Sequence, residues 1–287
     1  MYGSRWQGME TRTFCPRRHP LTLRAVVTIP AYAPPACGRL VPPLSSPLGA
    51  KGCASVVKPE AYEAWYDSPR GRWVGTVEYA LLKSLLCPEP GSSLLDIGCG
   101  TGHFTRPFSH DIRGLVVGLD PNEESLTYAN AHVAHAERYV GGLAESLPFP
   151  DRSFDFTVSV TALCFVTRQE QALREMVRVT RRRFVLGLLN RYSLLYLQKG
   201  RRGGKGGYYG AHWHTGSEIR SLLESMPVTN IVMRTAIILP QGTSIARAVE
   251  LHWPRRLLLG GFLAVSGEIL DPVPCMAGVR RIRQKKK

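Results

Sequence analysis

Residues 94–105 read LLDIGCGTGHFT, and this stretch decides the fold. Leu94, Leu95 and Ile97 form the short apolar run of a buried parallel strand. Gly98, Gly100 and Gly102 follow at once, and glycines let a backbone turn sharply and approach a ligand that a Cβ would block. A helix is expected to open near Thr101 and to run over 102–109. Its free N–H groups would face the crevice beyond the strand end, where open α/β sheets bind nucleotides.

Spacing separates the cofactor classes that use such a turn. The dinucleotide fingerprint G-x-G-x-x-G needs glycine at position 103, which is His103. The register here is G-x-G-x-G. Asp96 stands two residues before the first glycine, where a carboxylate repels a pyrophosphate and suits a ligand with an ammonium group. Both residues oppose a dehydrogenase. Downstream, a second apolar run over 115–119 ends in Asp120, 24 residues after Asp96. An acidic residue about 20 positions on accepts hydrogen bonds from ribose hydroxyls in such folds.

The run D-I-G-C-G-T-G at 96–102, then Asp120, then 142–155 (GLAESLPFPDRSFD) resemble, in that order, the class I S-adenosylmethionine-dependent methyltransferases, in particular the type 11, quinone-biosynthesis-like branch. The resemblance covers roughly residues 59–270. It implies an α/β fold, a single doubly wound Rossmann-like domain whose mostly parallel seven-stranded sheet has one reversed strand. It implies S-adenosyl-L-methionine as cofactor, held by Asp96, Gly98, Cys99, Gly100, Gly102, Asp120, Pro121, Ala144, Glu145 and Thr161. The reaction implied is in-line displacement at the sulfonium methyl, which positioning and water exclusion mainly accelerate.

Composition sets wider bounds. The chain has 287 residues, 44% of them hydrophobic, enough for a sizeable core. Its formal charge of +15 sits mostly in the ends: residues 1–57 carry +6, 58–279 carry +3 and 280–287 carry +6. Three segments are therefore expected: an irregular or disordered proline-rich basic extension over 1–57, a methyltransferase domain over 58–279 and a basic tail over 280–287. The abrupt onset of patterned sequence also fits a translation start near Val56 or Val57, and an Arg-rich, acid-poor targeting segment is a further reading of the extension. Seven cysteines without a C-x-x-C pair indicate neither a metal site nor a disulfide framework. No span has the roughly 18 uncharged apolar residues of a membrane helix, so a cytoplasmic protein without a transmembrane segment is expected.

Ser68 followed by Pro69 is a helix start, and Val74, Val77, Leu81 and Leu85 share one face, predicting a helix over 69–87. Tyr62, Trp65 and Tyr66 before it are read either as core or as a lid over the cofactor, in which Arg72 meets the cofactor carboxylate. A helix over 121–134, a short strand near 137–140, a strand over 154–161, a helix over 168–180 and a strand over 184–189 continue the alternation. Thr215 and Glu218 spell a capping box opening a helix over 216–226. Strands over 229–239 and 261–269, with a short helix between them, are expected as a reversed pair.

The acceptor side carries less information. The chain lacks the N/D-P-P-Y/F loop of amino-group base methyltransferases after its fourth strand, and Cys164 lacks the context of a cytosine-5 nucleophile. Residues 194–214 insert a basic, glycine-rich arch, read as mobile loop or as lid. Tyr66, Asn190, Tyr208 and Trp213 are the candidate acceptor contacts. His103, His212 and His214 are the candidate bases, none preferred over the others. A small-molecule acceptor is favoured. An RNA acceptor drawn by the basic loop over 199–207 and a non-catalytic partner protein of the same fold are the alternatives. The sequence does not specify an oligomeric state.

Overall fold

A computed structural model of the protein describes residues 57–270. The expected extension and tail lie outside the described residues, apart from Val57. The described chain opens with a helical hairpin. Helix α1 (Pro59–Asp67) and helix α2 (Pro69–Leu86) break at Ser68, whose extended backbone ends one helix and caps the next. Its Oγ donates to the Trp65 carbonyl at 2.6 Å and accepts from the Gly71 amide at 3.0 Å.

The alternating elements follow as β1 (Leu94–Ile97), α3 (Thr105–Ile112), β2 (Val116–Asp120), α4 (Glu123–Ala131), β3 (Arg138–Gly141), β4 (Phe154–Val160), α5 (Gln169–Val179) and β5 (Thr180–Leu189). The chain closes with α6 (Gly216–Glu224), β6 (Val228–Ala236), α7 (Ser244–His252) and β7 (Phe262–Ile269). The strands make one seven-stranded sheet in the order β3-β2-β1-β4-β5-β7-β6. Every pairing from β3 to β5 is parallel, and β7 runs antiparallel to both of its neighbours. The expected reversed pair is thus one reversed strand, with β6 restored to the common direction.

Period-two side chains feed two cores, one on each face. On one side Phe154, Phe184 and Leu186 meet Leu173, Met176 and Leu223. On the other, Phe156 and Val185 meet Leu82, Leu86, Phe108 and Ile112. Because the strand order reverses between β1 and β4, the crevice beyond their carboxyl ends is where such a sheet receives a ligand.

Two boundaries differ from expectation for local reasons. The helix after β1 opens at Thr105 rather than near Thr101. Gly98, Gly100 and Gly102 all have positive φ (+75°, +53° and +80°), so the chain winds through turns before it can become helical. Strand β5 begins at Thr180, earlier than its apolar run, because three arginines are anchored there. Arg181 bonds to Asp155 at 3.3 Å, Arg182 to Glu89 at 2.8 Å and Arg183 to Glu268 at 2.5 Å.

Candidate functional site

The crevice is built on the turn after β1. The Gly98 and Cys99 amides both donate to the Leu119 carbonyl, at 2.7 and 3.0 Å, which fixes the turn against β2. Asp120, the last residue of β2, then holds the turn from the side. Its Oδ2 accepts from the Gly100 amide and its Oδ1 from the Asn122 amide, both at 2.8 Å. Each oxygen keeps a lone pair for a further donor. Burial pushes the Asp120 carboxyl up, and the two amide bonds pull against that.

Asp96 lies beneath, 1% exposed. Its Oδ2 accepts from the Thr105 hydroxyl at 2.6 Å, while its buried Oδ1 has no partner. Burial, reinforced by the nearby Asp120 charge and opposed by Thr105, pushes this carboxyl up to about 7. A buried carboxyl oxygen without a donor marks a place for a cationic or hydrogen-bonding ligand group.

The walls are tight on two sides and open on one. A Cβ on Gly98 would overlap the Ala162 methyl, and one on Gly102 would overlap the Tyr139 ring and hydroxyl. A Cβ on Gly100 would meet nothing within 4 Å, so the turn faces free space there. Ala162 follows Thr161, the residue just after β4, which lies in the left-handed region at φ +57°. Cys99 is buried against the same cluster as Tyr139, and burial pushes its thiol far up. Pro121 is exposed just after Asp120, and Ala144 and Glu145 form the tight turn bridged by Leu143 and Ser146.

Helix α1 lies against this turn, and sequence reasoning missed how it is tied there. Glu63 accepts from the Thr101 hydroxyl at 2.5 Å and from Arg106 at 2.9 Å, with His103 Nδ1 at 3.5 Å. Burial opposes ionisation of Glu63, but these partners hold its carboxyl down at about 2. The His103 ring stacks on Tyr66 with centroids 3.7 Å apart, and its buried Nε2 has no partner. Tyr62 meets Tyr66 edge-on at 5.1 Å. Arg72 is exposed and has no ion pair among the described residues.

The arch after β5 is more ordered than its glycines predict. Gly200 is buried between Tyr196 and Trp213, leaving no room for a Cβ, and Tyr208 packs on Trp213 with centroids 5.6 Å apart. Trp213 is 5% exposed, with no partner for its indole N–H. Asn190 spends its whole amide on backbone: Nδ2 donates to the Leu258 and Gly260 carbonyls, and Oδ1 accepts from the Tyr192 amide. It shapes the arch from within.

The two arch histidines also separate. His214 is fully buried beside Cys164 Sγ (3.7 Å) and Gln169 Oε1 (3.2 Å), and burial, aided by His212, pushes it down to about 4. His212 is exposed and bonds to Glu218 at 2.6 Å. With Phe165, Gln169 and Gly210 it lines an open cavity of about 920 Å³ that does not reach the glycine turn. Among the described residues, no group of three or more His, Cys, Asp or Glu is placed to hold a metal ion, and no helix is long and apolar enough to cross a membrane.

This architecture has known counterparts. A family model described as a methyltransferase domain matches residues 95–186. An uncharacterised protein of Mycobacterium tuberculosis is 34% identical over 187 residues, 63% of this chain and 62% of that protein. The chain therefore spans just under two thirds of that relative's length. A malonyl-[acyl-carrier protein] O-methyltransferase of Pectobacterium atrosepticum is 39% identical over 100 residues, 35% of this chain and 39% of that one. Among solved structures, a Thermotoga maritima protein described as an S-adenosylmethionine-dependent methyltransferase and a possible histamine N-methyltransferase superposes with a TM-score of 0.58. It is 26% identical, over 73% of this chain and 95% of its own.

Proposed function

We propose that the chain is a class I S-adenosylmethionine-dependent methyltransferase, which transfers a methyl group from that cofactor to a small-molecule acceptor by direct in-line displacement. The observation that carries this reading is the pair of carboxylates at the crevice. Asp96 has a buried oxygen without a donor, and Asp120 is fixed by two amides with lone pairs to spare. The first suits the ammonium end of the cofactor and the second its ribose hydroxyls. Between them the open face of Gly100 leaves room for the ligand to approach the backbone.

The remaining contacts are assigned in the same terms. Gly98, Cys99 and Gly102 shape the turn, Thr161 closes it from β4, and Pro121, Ala144 and Glu145 border the space beyond Asp120. The cofactor supplies an electrophilic methyl on a sulfonium sulfur. The chain's residues bind and orient the two reactants and exclude water, which is most of what such a displacement needs. Helix α1, clamped by Glu63, covers the crevice from the side of Tyr62 and Tyr66. His214, buried and neutral with both ring nitrogens near partners, is a poor general base, and His212 is engaged with Glu218. The exposed cations Lys199, Arg201, Arg202 and Lys205 are the feature that would draw RNA instead.

Calorimetric titration with S-adenosylmethionine, beside Asp120→Ala, tests the reading. Saturable binding by the intact protein, weakened at least about tenfold in the variant, supports the cofactor site. A labelled-methyl screen of phenols, quinols, fatty acids, amines and total RNA at two salt concentrations then identifies the acceptor. RNA binding that falls steeply with salt would favour the polynucleotide. Absence of cofactor binding by the intact protein would leave only a non-catalytic relative.

A further inference from the structure

The carboxyl edge of the sheet carries a second surface beside the crevice. The arch leaves β5 next to the loop that enters β7, because Leu189 pairs with Phe262 across the antiparallel ladder. Asn190 laces the two segments together. Its Nδ2 donates to the Leu258 carbonyl at 3.0 Å and to the Gly260 carbonyl at 2.8 Å, and its Oδ1 accepts from the Tyr192 amide at 3.1 Å. Leu195 closes the seam from the arch, so near Gly261 that a Cβ there would stand 3.0 Å from the leucine side chain.

Apolar side chains stand outward on both sides of this seam. Leu195 and Gly200 are buried under the arch, but Tyr192, Leu194 and Leu197 are 62%, 41% and 50% exposed. Across the seam, Leu257 and Leu259 are each 50% exposed. Single exposed leucines are ordinary, whereas five large apolar residues on two laced segments, bordered by charge, mark a binding surface. The border has one sign. Arg191, Lys199, Arg201, Arg202 and Arg256 are exposed on the same segments, and none has an ion pair among the described residues. Residues 190–214 and 251–261 contain no acid.

That charge decides among the possible occupants. A second copy would bring the same cations against themselves. The two ends of the chain, +6 over 1–57 and +6 over 280–287, carry like charge as well. An anionic partner fits. Single-stranded RNA is held through its phosphates and by base stacking on aromatic rings, which gives four aliphatic leucines nothing to bury against. An anionic bilayer uses both halves of the surface: lysine and arginine meet the headgroups, while leucine and tyrosine reach the acyl boundary.

We propose that this face seats the protein on an anionic membrane surface, with Leu194, Leu197, Leu257 and Leu259 entering the interface and the arch cations held at the headgroups. The proposal does not depend on the methyl-transfer reading. The glycine turn follows β1 at the same edge of the sheet, two strand spacings or about 10 Å from β5, so seating brings the crevice near the lipid.

The test is co-sedimentation of the full chain with vesicles of phosphatidylcholine alone or with about 30% phosphatidylserine, at about 0.05 and 0.5 M salt. The wild type is expected to bind the anionic vesicles at least about tenfold more tightly than the neutral ones, and to weaken at the higher salt. Leu257→Ser combined with Leu259→Ser should keep Tm within about 2 °C, since both sites are exposed, and bind the anionic vesicles about tenfold more weakly. Arg201→Gln combined with Arg202→Gln should weaken binding by about tenfold or more and reduce its salt dependence. Unchanged vesicle binding by the leucine variant overturns the proposal, as does a wild type that binds a single-stranded oligonucleotide but neither vesicle. Should the leucine variant not fold, Tyr192→Trp is mixed with the anionic vesicles made with brominated phosphatidylcholine. Quenching of the added tryptophan emission is expected, and sedimentation with the vesicles without quenching overturns the proposal.

Discussion

Replacing Gly98 by alanine probes the contact that brings the end of β4 against the glycine turn. The new methyl would overlap the Ala162 Cβ, and the next heavy atom, the Ala162 Cα, would be an ordinary 3.6 Å away. Gly98 also has φ +75°, where a side chain costs roughly 1–2 kcal/mol. Forcing one extra methyl into a packed contact adds about 1–3 kcal/mol. Gly98→Ala is thus expected to lose about 2–5 kcal/mol of stability. The two costs can be separated, because Ala162→Gly removes the obstructing methyl and leaves the backbone strain. That single change is expected to cost about 0.5–1 kcal/mol. In the double variant the overlap vanishes, so the four proteins should show a favourable coupling of about 1–3 kcal/mol in a double-mutant cycle by urea unfolding. S-adenosylmethionine affinity should fall in Gly98→Ala and recover in part in the double variant. Additivity within about 0.5 kcal/mol would refute the reasoning, since it would mean that the two residues do not meet.

Two further outcomes follow from the buried polar groups around the turn. Asp96 is raised to about 7, so the folded protein keeps a proton there that the unfolded chain has lost. Its contribution is therefore intact below about pH 4 and declines as pH rises to about 7, by at most about 4 kcal/mol. Asp96→Asn should flatten the fall in ligand-free Tm between pH 5 and 7, leaving the decline that Glu78, a buried carboxyl of α2 pushed up to about 8, continues toward pH 8, and a scan as steep as wild type would sink this account. Tyr139 buries a hydroxyl with no partner against Gly102, so Tyr139→Phe should be neutral or stabilising by about 1 kcal/mol in urea unfolding, whereas a loss above 1 kcal/mol would show that the hydroxyl is bonded.

Much of this fold was legible because its signals are local. Ser68 and Pro69 announced α2, and Thr215 and Glu218 form the capping box that their spacing predicts, with both reciprocal bonds present. The alternation of apolar runs and helical faces showed the succession of strands and helices that builds the sheet's parallel half. What escaped was set by distant partners. The arginines that begin β5 look like loop until Asp155, Glu89 and Glu268 arrive from elsewhere in the chain. The arch looks loose by composition because its order comes from Trp213 packing edge-on with Tyr196 and at a tilt with Tyr208. Glu63 and Glu78 carried no signal either, being single acids in helices whose facing surfaces are defined only once the hairpin folds. Gly71 and Gly75, four apart and followed by Glu78, are the one hint that this side of α2 receives another helix.

Helix α1 has a single buried residue, Pro59, and it meets the core through the partly buried Tyr66. Its seat on the glycine turn depends on the Tyr66 ring and on one carboxylate, Glu63, where bonds from Thr101, Arg106 and His103 converge. A helix fastened along its whole length peels away in stages. One fastened at a single knot is expected to leave and return as a rigid body, so ligand exchange at the proposed site should follow a single exponential when measured by stopped flow.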